Sequence, residues 1–111
     1  MVVKRSSGES LRRILHDAPH HKLVFVVFSS KSCFVCEKLR QHLPWFASAH
    51  REKIQVMAVD VHQHPDLTYE YGVTAIPTIL VFAKGEKILV EAGVDSKGEL
   101  KKMLKRAQQS M

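Results

Sequence analysis

Only two cysteines occur in the 111-residue chain, and that scarcity excludes a secreted disulfide scaffold, which carries more cysteines at wider spacings. Long hydrophobic runs are absent as well. The longest aliphatic–aromatic stretch, Leu23 to Phe28, is far too short to span a bilayer, so no membrane association is expected. There is no internal repeat, low-complexity tract or linker, and the length leaves no room for a second domain; one domain over residues 1–111 is expected. Behind the basic Lys4-Arg5 lies no apolar signal-peptide core, which makes a soluble, cytoplasmic protein the expectation. Arg and Ser in the opening stretch leave an organelle-targeting segment open; Glu9, Asp17 and the helical pattern argue against it.

Charge of one sign is in excess but nowhere concentrated. The net charge is +6, from 17 basic and 11 acidic residues, yet the densest basic pairs are Lys4-Arg5, Arg12-Arg13, Lys101-Lys102 and Lys105-Arg106. No run reaches five basic residues and none is interleaved with aromatics, so a solvated basic surface is the plainer reading and nucleic-acid binding is not expected. The hydrophobic fraction of 45% and charged fraction of 25% are those of an ordinary globular protein. A chain of this length buries roughly 65% of the surface its unfolded form exposes, enough for a core without staples.

Val2-Val3 can open a short edge strand, and Ser6 with Glu9 has the form of a capping box. Leu11, Ile14 and Leu15 then recur at helical spacing, predicting a helix that ends near Asp17 because Pro19 stops it. The continuous apolar run Leu23 to Phe28 predicts a strand buried on both faces. Cys36, Leu39, Leu43 and Phe46 step by three and four and mark the inward face of a helix, which Pro44 is expected to kink. Ile54 to Asp60 reads as a second central strand, and Pro65 to Tyr71 as a short helix stopped by Gly72. Ile79 to Phe82, a Lys84-Gly85 turn and Ile88 to Val90 make an antiparallel pair. Ser96 with Glu99 caps a closing helix carrying Leu100, Met103, Leu104 and Ala107 inward. The order βαβαβαββα implies an α/β fold, a central mixed β-sheet flanked by helices on both faces.

The two cysteines stand three positions apart, in Cys33-Phe34-Val35-Cys36, between a buried strand and a helix. Two thiols so spaced can close a small disulfide ring. Where the first opens a helix, unpaired N–H groups and the helix dipole favour its thiolate and make it the nucleophile. The second, one turn later, is placed to attack the resulting mixed disulfide and release the substrate. Lys31 adds to the thiolate's stabilisation if it points that way. Two plainer readings stand beside this one. The cysteines can be small buried hydrophobes, or half of a zinc site that would have to recruit His62 and His64. Seven histidines are present (His16, His20, His21, His42, His50, His62 and His64); His20-His21 after Pro19 and His62-Gln63-His64 before Pro65 lack metal-site spacing and read as exposed loop residues. Trp45, well past the cysteines, reads as packing, and Asp60-Val61-His62 carries no specific chemistry.

Beyond the cysteines the chain reads Tyr71-Gly72-Val73-Thr74-Ala75-Ile76-Pro77-Thr78, then Phe82, Lys84-Gly85-Glu86, Gly93 and Ser96-Lys97-Gly98-Glu99-Leu100. These landmarks, in this order, resemble the thioredoxin family over nearly the whole chain. The resemblance implies a thioredoxin-like fold and a cis Ile76–Pro77 bond beside the cysteines. It also implies a groove in which the Ile76 backbone pairs with a substrate strand, with Ala75, Phe34 and Gly93 around it. An ordinary trans turn proline is the alternative for Pro77.

The chain departs from the family pattern at several positions. Ser32 replaces the usual Trp before the first cysteine, and Phe34-Val35 replaces Gly-Pro between the two. The family's buried Asp falls at Val27 and the Lys that partners it at Ala58, so no buried acid stands ready to take the proton of Cys36. The expected activity is thiol–disulfide exchange on disulfide-containing protein substrates. Cys33 attacks, Cys36 resolves, and Ile76 with Pro77 positions the substrate. No bound cofactor is required, a flavin-dependent thioredoxin reductase is the implied electron donor, and a monomer is expected. A binding or assembly module with little turnover is the alternative that Val27, Ala58 and Ser32 motivate.

Overall fold

The computed structural model describes residues 8–111. The strand expected at Val2-Val3 and the Ser6 end of the first capping pair lie outside those residues. Within them the order is α1 (Gly8–Asp17), β1 (Leu23–Ser29), α2 (Phe34–Ala49), β2 (Ile54–Asp60), α3 (Pro65–Glu70), β3 (Thr78–Ala83), β4 (Glu86–Ala92) and α4 (Lys97–Gln109).

The strands form a mixed sheet in the order β2-β1-β3-β4. β1 pairs parallel with β2 and antiparallel with β3, and β3 pairs antiparallel with β4. Every residue of β1 is buried, as a continuous apolar run demands of a central strand. Alternate β1 side chains enter two separate cores. Leu23, Phe25 and Val27 pack with Leu39, Leu43 and Phe46 of α2 and with Leu100, Met103 and Leu104 of α4. Val24, Val26 and Phe28 pack with Leu11 and Leu15 of α1 and Leu67 of α3. The period of two along the strand thus puts one helical pair on each face of the sheet.

The helix ends follow local chemistry. Ser96 Oγ accepts the Glu99 N–H at 3.2 Å, while Glu99 Oε1 accepts the Ser96 hydroxyl at 3.0 Å and the Asp95 N–H at 3.2 Å. That is a capping box shifted by one residue on its return arm. Pro44 sits inside α2, which continues through it to Ala49 as one helix. Between β3 and β4, Lys84 and Gly85 both take positive φ, 53° and 80°, the geometry of a tight hairpin turn.

Candidate active site

β1 ends at Ser29, and the turn that follows delivers Cys33 to the N-terminus of α2 as its N-cap, with φ −94° and ψ 116°. Extended backbone at the N-cap lets the side chain turn back on the first helical turn, and Cys33 Sγ accepts the Cys36 N–H at 3.2 Å. Cys33 and Cys36 are joined as a disulfide with their Cα atoms 5.1 Å apart. Burial separates the two thiols: Cys36 is fully enclosed, whereas Cys33 is partly exposed. Only the first is open to an incoming group.

Phe34, on the first turn of α2, is 72% exposed, so its ring contributes little burial to folding and remains accessible. Lys38 Nζ lies 5.1 Å from the ring centroid. The two are four apart on one helix, and that spacing was the sequence signal for their contact.

The other residues expected around a groove reach the same end of the sheet by register. Phe28 at the end of β1 pairs with Thr78, and Thr78 with Ala92, which places Pro77 and Gly93 beside the exit of β1. The Ile76–Pro77 peptide is cis. Gly93 N–H donates to the Pro77 carbonyl at 2.9 Å and Thr78 Oγ1 to the Ala75 carbonyl at 2.6 Å. Ala75 and Ile76 are exposed while Pro77 is buried. A Cβ on Gly93 would meet nothing within 4 Å, so its φ of +77° is what requires glycine within the chain itself. An open cleft of about 180 Å³ runs alongside, between the 71–75 loop and β4, with Leu80 and Val90 in its wall.

Val27 and Ala58 are direct partners across β1 and β2. The two departures from the family pattern are therefore neighbours, and Val27 is buried among apolar side chains where a lone carboxylate would be costly. A second cleft, of about 210 Å³, opens beside Ala58 and is lined by Ser29, Lys31, Arg40, Val59 and Asp60 as well. Burial alone would raise the Asp60 pKa. The N–H groups of His62 and Gln63 on its carboxylate, with the charges of His62 and Lys31, outweigh that and hold it below the usual range.

Among the described residues, no three His, Cys, Asp or Glu side chains gather where a metal could be held. No helix among them is long and apolar enough to cross a membrane. Trp45, read as packing, lies with Lys97 Nζ and Lys101 Nζ at 5.0 and 5.5 Å from its ring.

The thioredoxin family model matches residues 2–106. The chain belongs to the thioredoxin family. It is 31% identical over 83 residues to a thioredoxin of Alicyclobacillus acidocaldarius subsp. acidocaldarius, covering 75% of this chain and 79% of that protein. Against the mitochondrial thioredoxin of Mus musculus it is 30% identical, again over 75% of this chain but over only 50% of that protein. Among solved structures, Fasciola hepatica thioredoxin superposes with a TM-score of 0.85 over 96% of this chain and 98% of its own, at 23% identity, a likeness of fold. Thioredoxin membership and a Cys33–Cys36 pair at disulfide distance make the chain a thiol–disulfide oxidoreductase of protein disulfides.

Proposed function

We propose that Cys33 is the attacking thiol, Cys36 the resolving thiol, and Ile76, Pro77, Ala75, Phe34 and Gly93 the surface that receives an extended substrate segment. The observation that carries the assignment of roles is the difference in burial: Cys33 is reachable and Cys36 is not. The Cys33 thiolate attacks one sulfur of a substrate disulfide, forming a mixed disulfide and expelling the other substrate sulfur as a thiolate. Cys36, deprotonated, attacks Cys33 Sγ, and the second substrate thiolate leaves. Two electrons pass to the substrate, and the protein is left with the Cys33–Cys36 disulfide. An external dithiol, in the cell a thioredoxin reductase, returns it to the dithiol form. The chain acts as a single thioredoxin-like domain over 1–111, as a monomer, in the cytoplasm, without a bound cofactor.

Trapping tests the assignment. With a disulfide-containing protein, reduced Cys36→Ser is expected to accumulate a covalent adduct through Cys33, visible by mass spectrometry and released by dithiothreitol. Reduced Cys33→Ser is expected to form none. An adduct of equal yield through Cys36 would contradict the assigned roles. The Val27–Ala58 neighbours favour a second reading, a module that binds through the same groove but resolves slowly because no buried base serves Cys36. A stable adduct on the wild-type protein would select it.

A further inference from the structure

Ser30, 2% exposed, lies in the turn between β1 and the cysteines, and its carbonyl oxygen accepts two hydrogen bonds. One comes from the Cys33 N–H at a long 3.3 Å, the other from Arg40 Nη1 at 3.0 Å. The Ser30 hydroxyl meets Ser32 Oγ at 3.1 Å and accepts the Ser32 N–H at 3.3 Å. Ser30 is thus the knot of the turn that carries Cys33. Arg40, one helical turn beyond Cys36, is the group that ties this knot to α2. We propose that Arg40 is a positioning residue for the thiol–disulfide exchange, holding the Cys33 turn against α2 through the Ser30 carbonyl and setting a positive charge at the carbonyl that also takes the Cys33 N–H.

Two arguments support this. A charged donor makes the stronger of two bonds to a shared carbonyl, so without Arg40 the Ser30 carbonyl keeps only the 3.3 Å bond from the Cys33 N–H, and the turn loses its tie to α2. Loosening there would also loosen the N-cap bond from the Cys36 N–H to Cys33 Sγ, which stabilises the thiolate. The charged groups around the turn are Lys31 and Asp60, which line the Ala58 cleft with Arg40, and Glu37 and Lys38 on the first turns of α2.

The inference rests on Cys33 being the attacking thiol, and the test separates the two. In the reduced protein, the rate at which iodoacetamide alkylates Cys33 is followed by mass spectrometry across pH. The wild-type midpoint is expected below the roughly 8.5 of a free cysteine. Arg40→Ala is expected to raise that midpoint by about one unit, a roughly tenfold smaller thiolate fraction and a roughly three- to fourfold slower alkylation at pH values below both midpoints. Arg40→Lys, which keeps charge and a donor, is expected to return most of the shift, and Arg40→Gln, which keeps a donor alone, less. A low wild-type midpoint unmoved in folded Arg40→Ala overturns the inference and leaves the role of Cys33 standing. Should Arg40→Ala fail to fold, Arg40→Gln decides by the same comparison. A wild-type midpoint of 8.5 or above contradicts the activated nucleophile and overturns both.

Discussion

At the scale of single residues, the site is defined as much by what was removed as by what remains. Val27 is 1% exposed and packs among Leu39, Phe46 and Ile79, so the interior at that point accepts a hydrocarbon and has no partner for a charge. Val27→Asp alone is expected to destabilise the protein by about 3 kcal/mol or more, because it buries a carboxyl group without a counter-ion. Adding Ala58→Lys, on the directly paired residue of β2, is expected to recover a large part of that loss and to speed release of the mixed disulfide. Urea unfolding of the two variants checks the first point and single-turnover reduction the second. A single variant as stable as wild type would contradict the apolar packing described for Val27.

Elements were legible in the sequence where one local signal decided them. The unbroken run from Leu23 to Phe28 reads as a doubly buried strand and is one, and the Ser96–Glu99 pair caps α4. The Glu99 carboxylate, receiving the Asp95 N–H and bonds from Ser96, is held below its ordinary pKa of 4.5. A lowered folded-state pKa means that its contribution to stability is present above that ordinary value and is lost as pH falls through the lowered one. Glu99→Gln is therefore expected to flatten the stability profile as pH falls below the ordinary 4.5, and Ser96→Ala to cost about 1 kcal/mol at pH 7. Chemical denaturation across pH reads both effects. Contacts that depend on tertiary placement left no such trace. Arg40 and Ser30 are ten residues apart across a turn, with nothing periodic to join them. The stacking of Lys97 and Lys101 on Trp45 exists only because α4 packs beside α2. Lys38 over Phe34 is the intermediate case, since their spacing of four on one helix exposes the pair to inspection.

On the scale of the whole molecule, the sheet register brings three distant segments to one end: the cysteine turn after β1, the Ala75–Pro77 segment before β3, and Gly93 after β4. Two cores, one on each face, hold β1 and so hold the turn that carries Cys33. The cysteine spacing and the family landmarks made this convergence readable in the sequence, whereas the neighbouring positions of Val27 and Ala58 required the register itself. The central claim is that this end of the sheet reduces protein disulfides through Cys33. It is tested most directly by the reduction of insulin with dithiothreitol as electron donor, comparing wild type with Cys33→Ser. Acceleration over dithiothreitol alone that vanishes in Cys33→Ser is the predicted result. A folded wild-type protein that gives no acceleration, or a Cys33→Ser variant that retains it, would contradict the account.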